Sequence, residues 1–447
     1  MTDQARPVPD IVTAVPGPNA RAHVAFDHAW TSPSLPRAYP IVPVRGEGCV
    51  IEDVDGNRFL DFAAGIAVNS TGHCHPRVVE AITRQAHELI HFSASDFYLP
   101  IYARAAETLA RIAPMAPARV FIGNSGAEVV EAGLKLARFH TQRPNVVAFV
   151  GAFHGRTYGA VSLTASKAKY HAGFGPLLPG VYHVPFGSAG LDELEARVFT
   201  RLMPADEFAA VIVEPIQGEG GYVVPDDAFL PRLRELCDRH GILLIADEVQ
   251  SGAGRTGRMW AIDHWGVEPD ILLTAKGIAS GMPVAAMIAR SELMTWGPGA
   301  HGSTYGGNPV ALAALLETVA LLEGGLIDNA AVRGEEAMRG LRPLVELYPE
   351  LVREVRGKGL MIGVRFDSGA TAEAVQLQAF ERGLLVLEAG DDCVRLCPPL
   401  VVTEAEVATA VRIFGEAVAH VAAHRAADIA EVVAEERAGL ASETVGG

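Results

Sequence analysis

Two residues of opposite charge follow short apolar runs in the stretch 241–277. Asp247 follows the run 242–246, and Lys276 follows the run 271–275. An unbroken apolar run is typical of a strand buried on both faces of a parallel sheet, and open α/β sheets bind ligands beyond the carboxyl ends of such strands. The 447 residues include only five lysines, so a lysine at the end of an apolar run is not readily explained as one of many surface charges. The pattern therefore indicates a functional site, with a structural ion pair between the two residues as the alternative.

Two further patterns lie at other predicted strand ends. The segment GNSGAE at 123–128 stands between a strand and a helix, and backbone N–H groups at a helix start can bind an anion such as a phosphate. Phe153-His154 follows another apolar run. A phosphate loop, a ring-stacking aromatic, an aspartate and an imine-forming lysine are together what a pyridoxal phosphate site requires.

Two competing motifs are less compatible with the chain. The glycines at 252, 254 and 257 match a dinucleotide fingerprint, but they follow the strand end too late and lack an acidic residue about 20 positions further on. His73-Cys74-His75 resembles a metal cluster, but adjacent residues on an extended chain point to opposite faces. We therefore predict neither nicotinamide nor metal binding.

Alternating strands and helices are predicted to position these residues. Apolar strands at 119–122, 145–150, 209–213, 242–246, 271–275 and 283–289 alternate with helical segments, which indicates a largely parallel sheet. An α/β fold is expected, with a large domain flanked by helices and a smaller α+β domain. The predicted boundaries are 1–74 for an N-terminal arm and small antiparallel unit, 75–328 for the large domain and 329–447 for the C-terminal domain.

Other local signals refine this picture. Residues 1–40 are expected to form an extended arm, and Asp55-Gly56-Asn57 a hairpin turn. Helices are expected at 75–90, after Pro309 as an amphipathic connector ending at Gly324-Gly325, at 329–348 and at 404–424. The tail after 424 is expected to be helical and without a functional signal.

Amino-acid composition limits the classes of molecule that this chain is expected to bind. The formal charge of −16 argues against nucleic acid and anionic membranes, and no uninterrupted apolar run approaches about 18 residues. Five cysteines without a CxxC pair, and an N-terminus without a signal-peptide pattern, favour a reducing cytoplasm. Small-molecule substrates are expected instead.

Four motifs carry a family resemblance: EPIQGEGG at 214–221, ADEVQSGAGRTG at 246–257, TAKG at 274–277 and STYGGNP at 303–309. In this order they resemble class III pyridoxal-phosphate aminotransferases of fold type I, of the 4-aminobutyrate, acetylornithine and ornithine type. The likeness extends from about residue 42 to 414. It implies pyridoxal 5'-phosphate as cofactor, amino and keto acids as substrates, and a homodimer with shared active sites.

The resemblance also assigns roles to residues. Lys276 would form the aldimine and shuttle the proton, and Asp247 would pair with the pyridinium nitrogen. Gln250 would bond the ring hydroxyl, and Phe153 and Val249 would sandwich the ring. Gly126 and Ala127 would hold the phosphate, and Thr304 would reach the phosphate of the neighbouring subunit. The other positions assigned to cofactor binding are Ser125, His154 and Glu214.

Substrate selection is expected to depend on charge. Arg395 matches the arginine that grips the α-carboxylate of 2-oxoglutarate, and Glu219 the residue that pairs with it when another donor binds. Arg156 and Ile66 correspond to the distal-carboxylate and pocket-wall positions of 4-aminobutyrate aminotransferases. The expected activity is transfer from an ω-amino acid, such as 4-aminobutyrate, to 2-oxoglutarate.

An amino-acid racemase of the same family is the alternative, because the segments 91–98, 162–167 and 399–406 resemble that subgroup. Glu219 in place of aspartate favours transamination. The amino donor, the stereochemistry and the oligomer beyond a dimer are left open by the sequence.

Overall fold

The computed structural model describes residues 7–444, with side chains described as far as 424. The strands in that range are β1 Pro43–Glu47, β2 Val50–Asp53, β3 Arg58–Asp61, β4 Ala118–Gly123, β5 Asn145–Phe149, β6 Val181–Val184, β7 Phe208–Val213, β8 Leu243–Asp247, β9 Ile271–Thr274, β10 Ala285–Arg290, β11 Val352–Lys358, β12 Met361–Phe366, β13 Leu384–Leu385, β14 Leu387–Ala389 and β15 Cys393–Leu396. The helices are α1 Pro18–Trp30, α2 Ala64–Ala67, α3 Pro76–Glu88, α4 Pro100–Ile112, α5 Gly126–Thr141, α6 Tyr158–Leu163, α7 Ser188–Glu193, α8 Phe229–His240, α9 Pro309–Leu321, α10 Ile327–Leu341, α11 Pro343–Leu347, α12 Gly369–Glu381 and α13 Glu404–Thr444.

A seven-stranded sheet forms the centre of the molecule, in the order β4-β10-β9-β8-β7-β5-β6. Its strands are parallel except β10, which is antiparallel to both of its neighbours. The mostly parallel sheet expected from the sequence is confirmed. Strand β6 was missed, since its short sequence VYHV lacks the unbroken apolar run of the other strands.

The apolar runs become strands because both faces of this sheet are buried. Along β7, Val211 and Val213 pack into one apolar core while Ala210 and Ile212 pack into the other. Helix α5 covers the second face, and α8 packs on the first. The carboxyl ends of the parallel strands consequently meet at one edge.

Two smaller sheets join the ends of the chain. The order β1-β2-β3-β13 brings the N-terminal hairpin beside a C-terminal strand, with Leu60 opposite Leu384. The turn at 55–57 separates β2 from β3, as predicted. An antiparallel sheet, β11-β12-β15-β14, packs against α12. The smaller α+β unit is thus present, while the boundaries at 74 and 328 stay predictions.

The expected extended arm is wrong over residues 18–30, which form helix α1. The backbone N–H groups of Asn19 and Ala20 donate to the carboxylate of Asp55, at 2.9 and 2.8 Å. Because this cap comes from a residue 36 positions away from Asn19, local sequence could not reveal it. Residues 1–6 of the arm lie outside the described residues.

The predicted end of the connector helix at Gly324-Gly325 is also wrong. A π-helical segment, Leu322–Leu326, carries the chain from α9 into α10, and Gly325 adopts a φ of 128°. Helix α9 is not amphipathic but buried on most sides, against α3 and α4 among other elements. By length and composition alone, Pro309–Leu347 is the described helical run that could span a membrane. Packing of α9 in the protein interior explains its apolar character.

The final helix begins at Glu404, as expected, and continues to Thr444. Its side chains beyond residue 424 lie outside the described ones.

Candidate active site

A cavity of about 330 Å³ opens at the edge where the parallel strands end. Ten residues selected from the sequence line it: Ser125, Gly126, Ala127, Phe153, His154, Glu214, Asp247, Val249, Gln250 and Lys276. They follow β4, β5, β7, β8 and β9, so the sheet topology brings together residues that are up to 151 positions apart (276 − 125). The common edge accounts for their convergence.

Asp247 ends β8 as a buried carboxylate with fixed partners. His154 Nδ1 donates to Asp247 Oδ2 at 2.7 Å, and Val249 N donates to Asp247 Oδ1 at 3.1 Å. The backbone N–H of His154 in turn donates to Thr164 Oγ1 at 2.9 Å. These contacts hold the carboxylate in the cavity wall, where it can stabilise a cationic ring nitrogen.

Lys276 supplies the amine. Its side chain lines the cavity, and Nζ makes no hydrogen bond with the described residues. Withdrawal from bulk water lowers the pKa of Lys276, and the positive charge of Arg395 acts in the same direction, while Glu219 and Asp247 oppose the shift. Lys276 also adopts a positive φ of 43° at the start of the 3-10 turn Lys276–Ala279, a strained conformation of the kind found at functional sites. An amine with a lowered pKa is suited to condense with an aldehyde.

Helix α5 provides the anion cradle. It begins at Gly126, and the Ser125 side chain accepts a hydrogen bond from Glu128 N at 3.4 Å as the N-cap. Gly126 packs closely against the valine, since a Cβ there would lie 3.0 Å from Val249 Cγ1. The start of a 16-residue helix therefore faces the cavity with its backbone N–H groups, as phosphate binding needs.

Glu214 acts as a brace in the cavity wall. Its two carboxylate oxygens accept from the backbone N–H groups of Phe153 and Gly218, each at 3.0 Å. Burial raises the pKa of Glu214 to about 7, and the nearby Asp247 charge adds to the shift. The brace joins the segment that carries the Phe153 ring to the turn that carries Glu219.

An ion pair between Arg395 and Glu219 lies next to Gln250 of the cavity lining. Arg395 Nη1 and Glu219 Oε1 are 2.6 Å apart, and the arginine side chain is only 5% exposed. Burial tends to raise the pKa of Glu219, but the Arg395 charge and hydrogen bond outweigh it, so the pKa is lowered. Arg395 Nε is buried without a hydrogen-bond partner among the described residues. The Arg395 guanidinium thus has one N–H donor, at Nε, that a carboxylate could accept from.

Five sequence-predicted residues lie outside the cavity lining: the paired Glu219 and Arg395, and also Ile66, Arg156 and Thr304. Ile66 is 43% exposed, with a positive φ of 67°. Arg156 is exposed and lies over the Tyr170 ring, with Cζ 4.7 Å from the centroid. Thr304 is exposed too, and its contact with the phosphate of a neighbouring subunit stays a prediction.

Other site residues escaped the sequence reasoning. Tyr222 OH donates to Gln250 Oε1 at 3.0 Å, and its only signal was an aromatic residue directly after the Gly-Gly of the 214–221 motif. Val68, Met282 and Pro283 also line the cavity, and no local pattern marks them. Among the described residues, no group of three or more histidine, cysteine or acidic side chains could hold a metal ion.

The residues present fit pyridoxal phosphate. The anion cradle, the buried carboxylate, the aromatic wall at Phe153 and the free amine surround one cavity. Asp247 contacts His154 there, at 2.7 Å, and makes no ion pair with Lys276. The alternative of a structural pair between Asp247 and Lys276 is therefore wrong.

Comparison with known proteins gives consistent matches. The family model described as aminotransferase class-III matches residues 33–418. The acetylornithine aminotransferase of Thermosynechococcus vestitus is 43% identical over 394 residues, covering 86% of this chain and 94% of that protein. The alanine/serine racemase of Pyrococcus horikoshii is 38% identical over 444 residues, covering 92% of each.

Solved structures agree with these matches. The ornithine aminotransferase of Toxoplasma gondii has a TM-score of 0.83 and 34% identity, covering 90% of this chain and 95% of that one. A second structure of that enzyme is described as having partial occupancy of pyridoxal phosphate at its active site.

Proposed function

Because the chain belongs to the class-III aminotransferases, which depend on pyridoxal phosphate, we propose that it moves an amino group from an ω-amino acid to 2-oxoglutarate. The proposed donors carry an amine several carbons from the nearest carboxylate. N-acetylornithine, which the names of the relatives suggest, and 4-aminobutyrate are the leading candidates.

The Glu219–Arg395 ion pair, at 2.6 Å, is the observation that carries this proposal. With Glu219 paired to it, Arg395 presents no unbalanced charge to a donor that has no carboxylate near its amine. When 2-oxoglutarate enters, its carboxylate can replace Glu219 and also use the unpartnered Nε. One cavity can thereby accept two substrates of different charge pattern.

The chain's own residues have separate tasks in this reaction. Bound pyridoxal phosphate supplies an electron sink that weakens the bond between the substrate's amine-bearing carbon and its hydrogen. Lys276 holds the cofactor and then moves that proton, while Asp247 keeps a positive charge favourable at the ring nitrogen. His154 orients Asp247, and the exposed Arg156 would bind the donor's distal carboxylate.

Racemisation is the second candidate, favoured by the 38% identity to the Pyrococcus horikoshii racemase over 92% of the chain. A two-base racemase needs a second proton acceptor besides Lys276. Among the described residues, the carboxylates of Asp247 and Glu214 in the cavity lining are engaged by His154 and by backbone N–H groups, and the nearby Glu219 is engaged by Arg395. Because these three carboxylates already have partners, transamination fits better.

One experiment separates these functions. The enzyme is incubated with N-acetylornithine, ornithine, 4-aminobutyrate, alanine or serine, with and without 2-oxoglutarate, and both glutamate and the amino-acid enantiomers are measured. Glutamate formed only with the keto acid, and from ω-amino donors, supports the proposal. Inversion of alanine or serine without keto acid would identify a racemase.

We also propose a homodimer. Exposed apolar side chains form a patch, here called the aromatic patch, of Ile90, Phe92, Phe97, Tyr98 and Tyr305. Ser95 Oγ donates to Ser303 O at 3.1 Å, so this patch adjoins the segment that carries Thr304. Exposed patches of this kind mark protein interfaces. The cytoplasmic location expected from the cysteines stays a prediction.

A further inference from the structure

Tyr222 is fully buried and has a strained backbone, with a φ of 53°. A bulky residue adopts this left-handed conformation only where its surroundings impose it. The turn that imposes it is held by several bonds: Tyr222 N donates to Gly218 O at 3.3 Å, and Arg356 Nε and Nη2 donate to Gly221 O at 3.0 and 2.7 Å. Strain at a buried residue beside the cavity suggests a role beyond packing.

The phenol of Tyr222 fixes one side of Gln250. Tyr222 OH donates to Gln250 Oε1 at 3.0 Å, and Arg395 Nη1 lies 3.4 Å from the same oxygen. Since a guanidinium can only donate, the atom facing Arg395 must be the amide oxygen. Burial raises the pKa of Tyr222 well above its ordinary value, so the hydroxyl keeps its proton.

The other side of the Gln250 amide is left free. Nε2 makes no hydrogen bond with the described residues, and Gln250 lines the cavity. The amide is also seated tightly against the turn, because a Cβ on Gly218 would lie 2.2 Å from Nε2. Gln250 therefore has an N–H donor without a partner among the described residues, on a side chain that lines the cavity.

We propose that Tyr222 is a positioning residue that keeps the Gln250 amide in one orientation, with Nε2 offered to the cofactor, whichever carboxylate Arg395 binds. Arg395 exchanges Glu219 for a substrate carboxylate in the proposed reaction, so its long contact to Gln250 changes during turnover. Tyr222 lies outside the cavity lining and makes the shorter contact, which can persist throughout. The inference rests on the cofactor site of the proposed function but not on the identity of the donor.

A double-mutant cycle tests this role. Tyr222→Phe removes only the hydroxyl and keeps the ring in its apolar cluster with Ile216, Met361 and Cys397. The dissociation constant of pyridoxal phosphate and the pH midpoint of the absorbance of the bound cofactor are measured for Tyr222→Phe, for Gln250→Ala and for the double variant. Tyr39→Phe is the matched control, because the buried Tyr39 hydroxyl donates to Val386 O and lies outside the cavity lining.

In the wild-type background, Tyr222→Phe is expected to raise the cofactor's dissociation constant roughly three- to tenfold and to shift the absorbance midpoint. In the Gln250→Ala background, the same change should have an effect of less than about twofold, because the residue acts through Gln250. Tyr39→Phe should leave both readouts unchanged.

The proposal would be overturned if Tyr222→Phe weakened cofactor binding equally in the wild-type and Gln250→Ala backgrounds. It would also be overturned if Tyr222→Phe kept the wild-type dissociation constant and absorbance midpoint. Neither readout needs an amino-acid substrate. An enzyme that proves to be a racemase would therefore still report on Tyr222, and failure of the proposed function is distinguishable from failure of this inference.

Discussion

The site contains a fixed charge and a free amine. His154 holds the Asp247 carboxylate in place, and Lys276 supplies the amine. The aspartate is buried and accepts two hydrogen bonds, whereas Lys276 has no hydrogen-bond partner among the described residues and a lowered pKa. The fixed group can stabilise charge without reorganising, and the free group can change partners. This division explains why only the lysine is expected to hold the cofactor covalently.

Replacing Lys276 by alanine should abolish covalent attachment of the cofactor. Wild-type protein treated with borohydride should carry pyridoxal phosphate on the peptide that contains residue 276, as measured by mass spectrometry. Lys135→Ala, at a surface lysine that contacts His301, is the control and should retain the adduct. A borohydride-stable adduct in Lys276→Ala would show that another amine is used.

Replacing Arg395 by lysine should weaken recognition of 2-oxoglutarate. An ammonium cannot reproduce the planar fork of Nε and Nη donors, and hydrogen bonds to charged groups contribute about 1.5–3 kcal/mol, so KM should rise roughly ten- to hundredfold. Steady-state kinetics with varied keto acid measures this change. Arg365→Lys, at a surface ion pair on β12, should behave as wild type. An unchanged KM would assign the carboxylate to a different residue.

At the level of elements, the loop after β8 is held by a second buried acid, Glu248. Its oxygens accept from Ile262 N at 2.7 Å and from Ser251 Oγ at 2.6 Å. The loop contains the glycines that resemble a dinucleotide motif, and Gly254 and Gly257 pack against Ile327 and Ala331 of α10. These glycines therefore serve close packing of loop and helix.

Burial raises the pKa of Glu248 to about 7, which makes stability depend on pH. The folded state binds a proton that the unfolded state has released between about pH 4.5 and 7, so the contribution of Glu248 to stability falls as pH rises through that window. Glu248→Gln can keep both contacts without the charge, with Oε1 accepting from Ile262 N and Nε2 donating to Ser251 Oγ.

The variant should gain up to about 3 kcal/mol relative to wild type between pH 4.5 and 7.5. Denaturant unfolding of both proteins across this range measures the difference. A difference that does not vary with pH would mean that Glu248 ionises normally in the folded protein.

At the level of the whole molecule, the anion cradle adjoins the segment that carries Thr304, since Asn124 in the cavity lining donates from Nδ2 to Ser303 Oγ at 3.1 Å. Thr304 does not line its own protomer's cavity. A second copy of the chain, docked on the patch, would bring an equivalent residue to the anion cradle. Cofactor affinity and dimerisation should then be linked.

Replacing Phe97, which is 52% exposed, by glutamate should split the dimer and weaken cofactor binding. Sedimentation velocity gives the assembly state, and titration with pyridoxal phosphate gives the affinity. Leu347→Glu alters a comparably exposed apolar residue on α11 and should change neither. Monomers with full cofactor affinity would contradict a shared site, and an intact dimer would place the interface elsewhere.

The amino-acid sequence determined six of the seven strands of the central sheet, the residues at their carboxyl ends and the family. These depend on local signals: an unbroken apolar run specifies a doubly buried strand, and the motifs around Asp247 and Lys276 are contiguous. Tertiary structure alone decided which side chains meet. Asp55 caps α1, His154 and not Lys276 pairs with Asp247, and Tyr222 reaches Gln250. Such contacts join residues 28 to 93 positions apart, and chain folding rather than local pattern sets their distances.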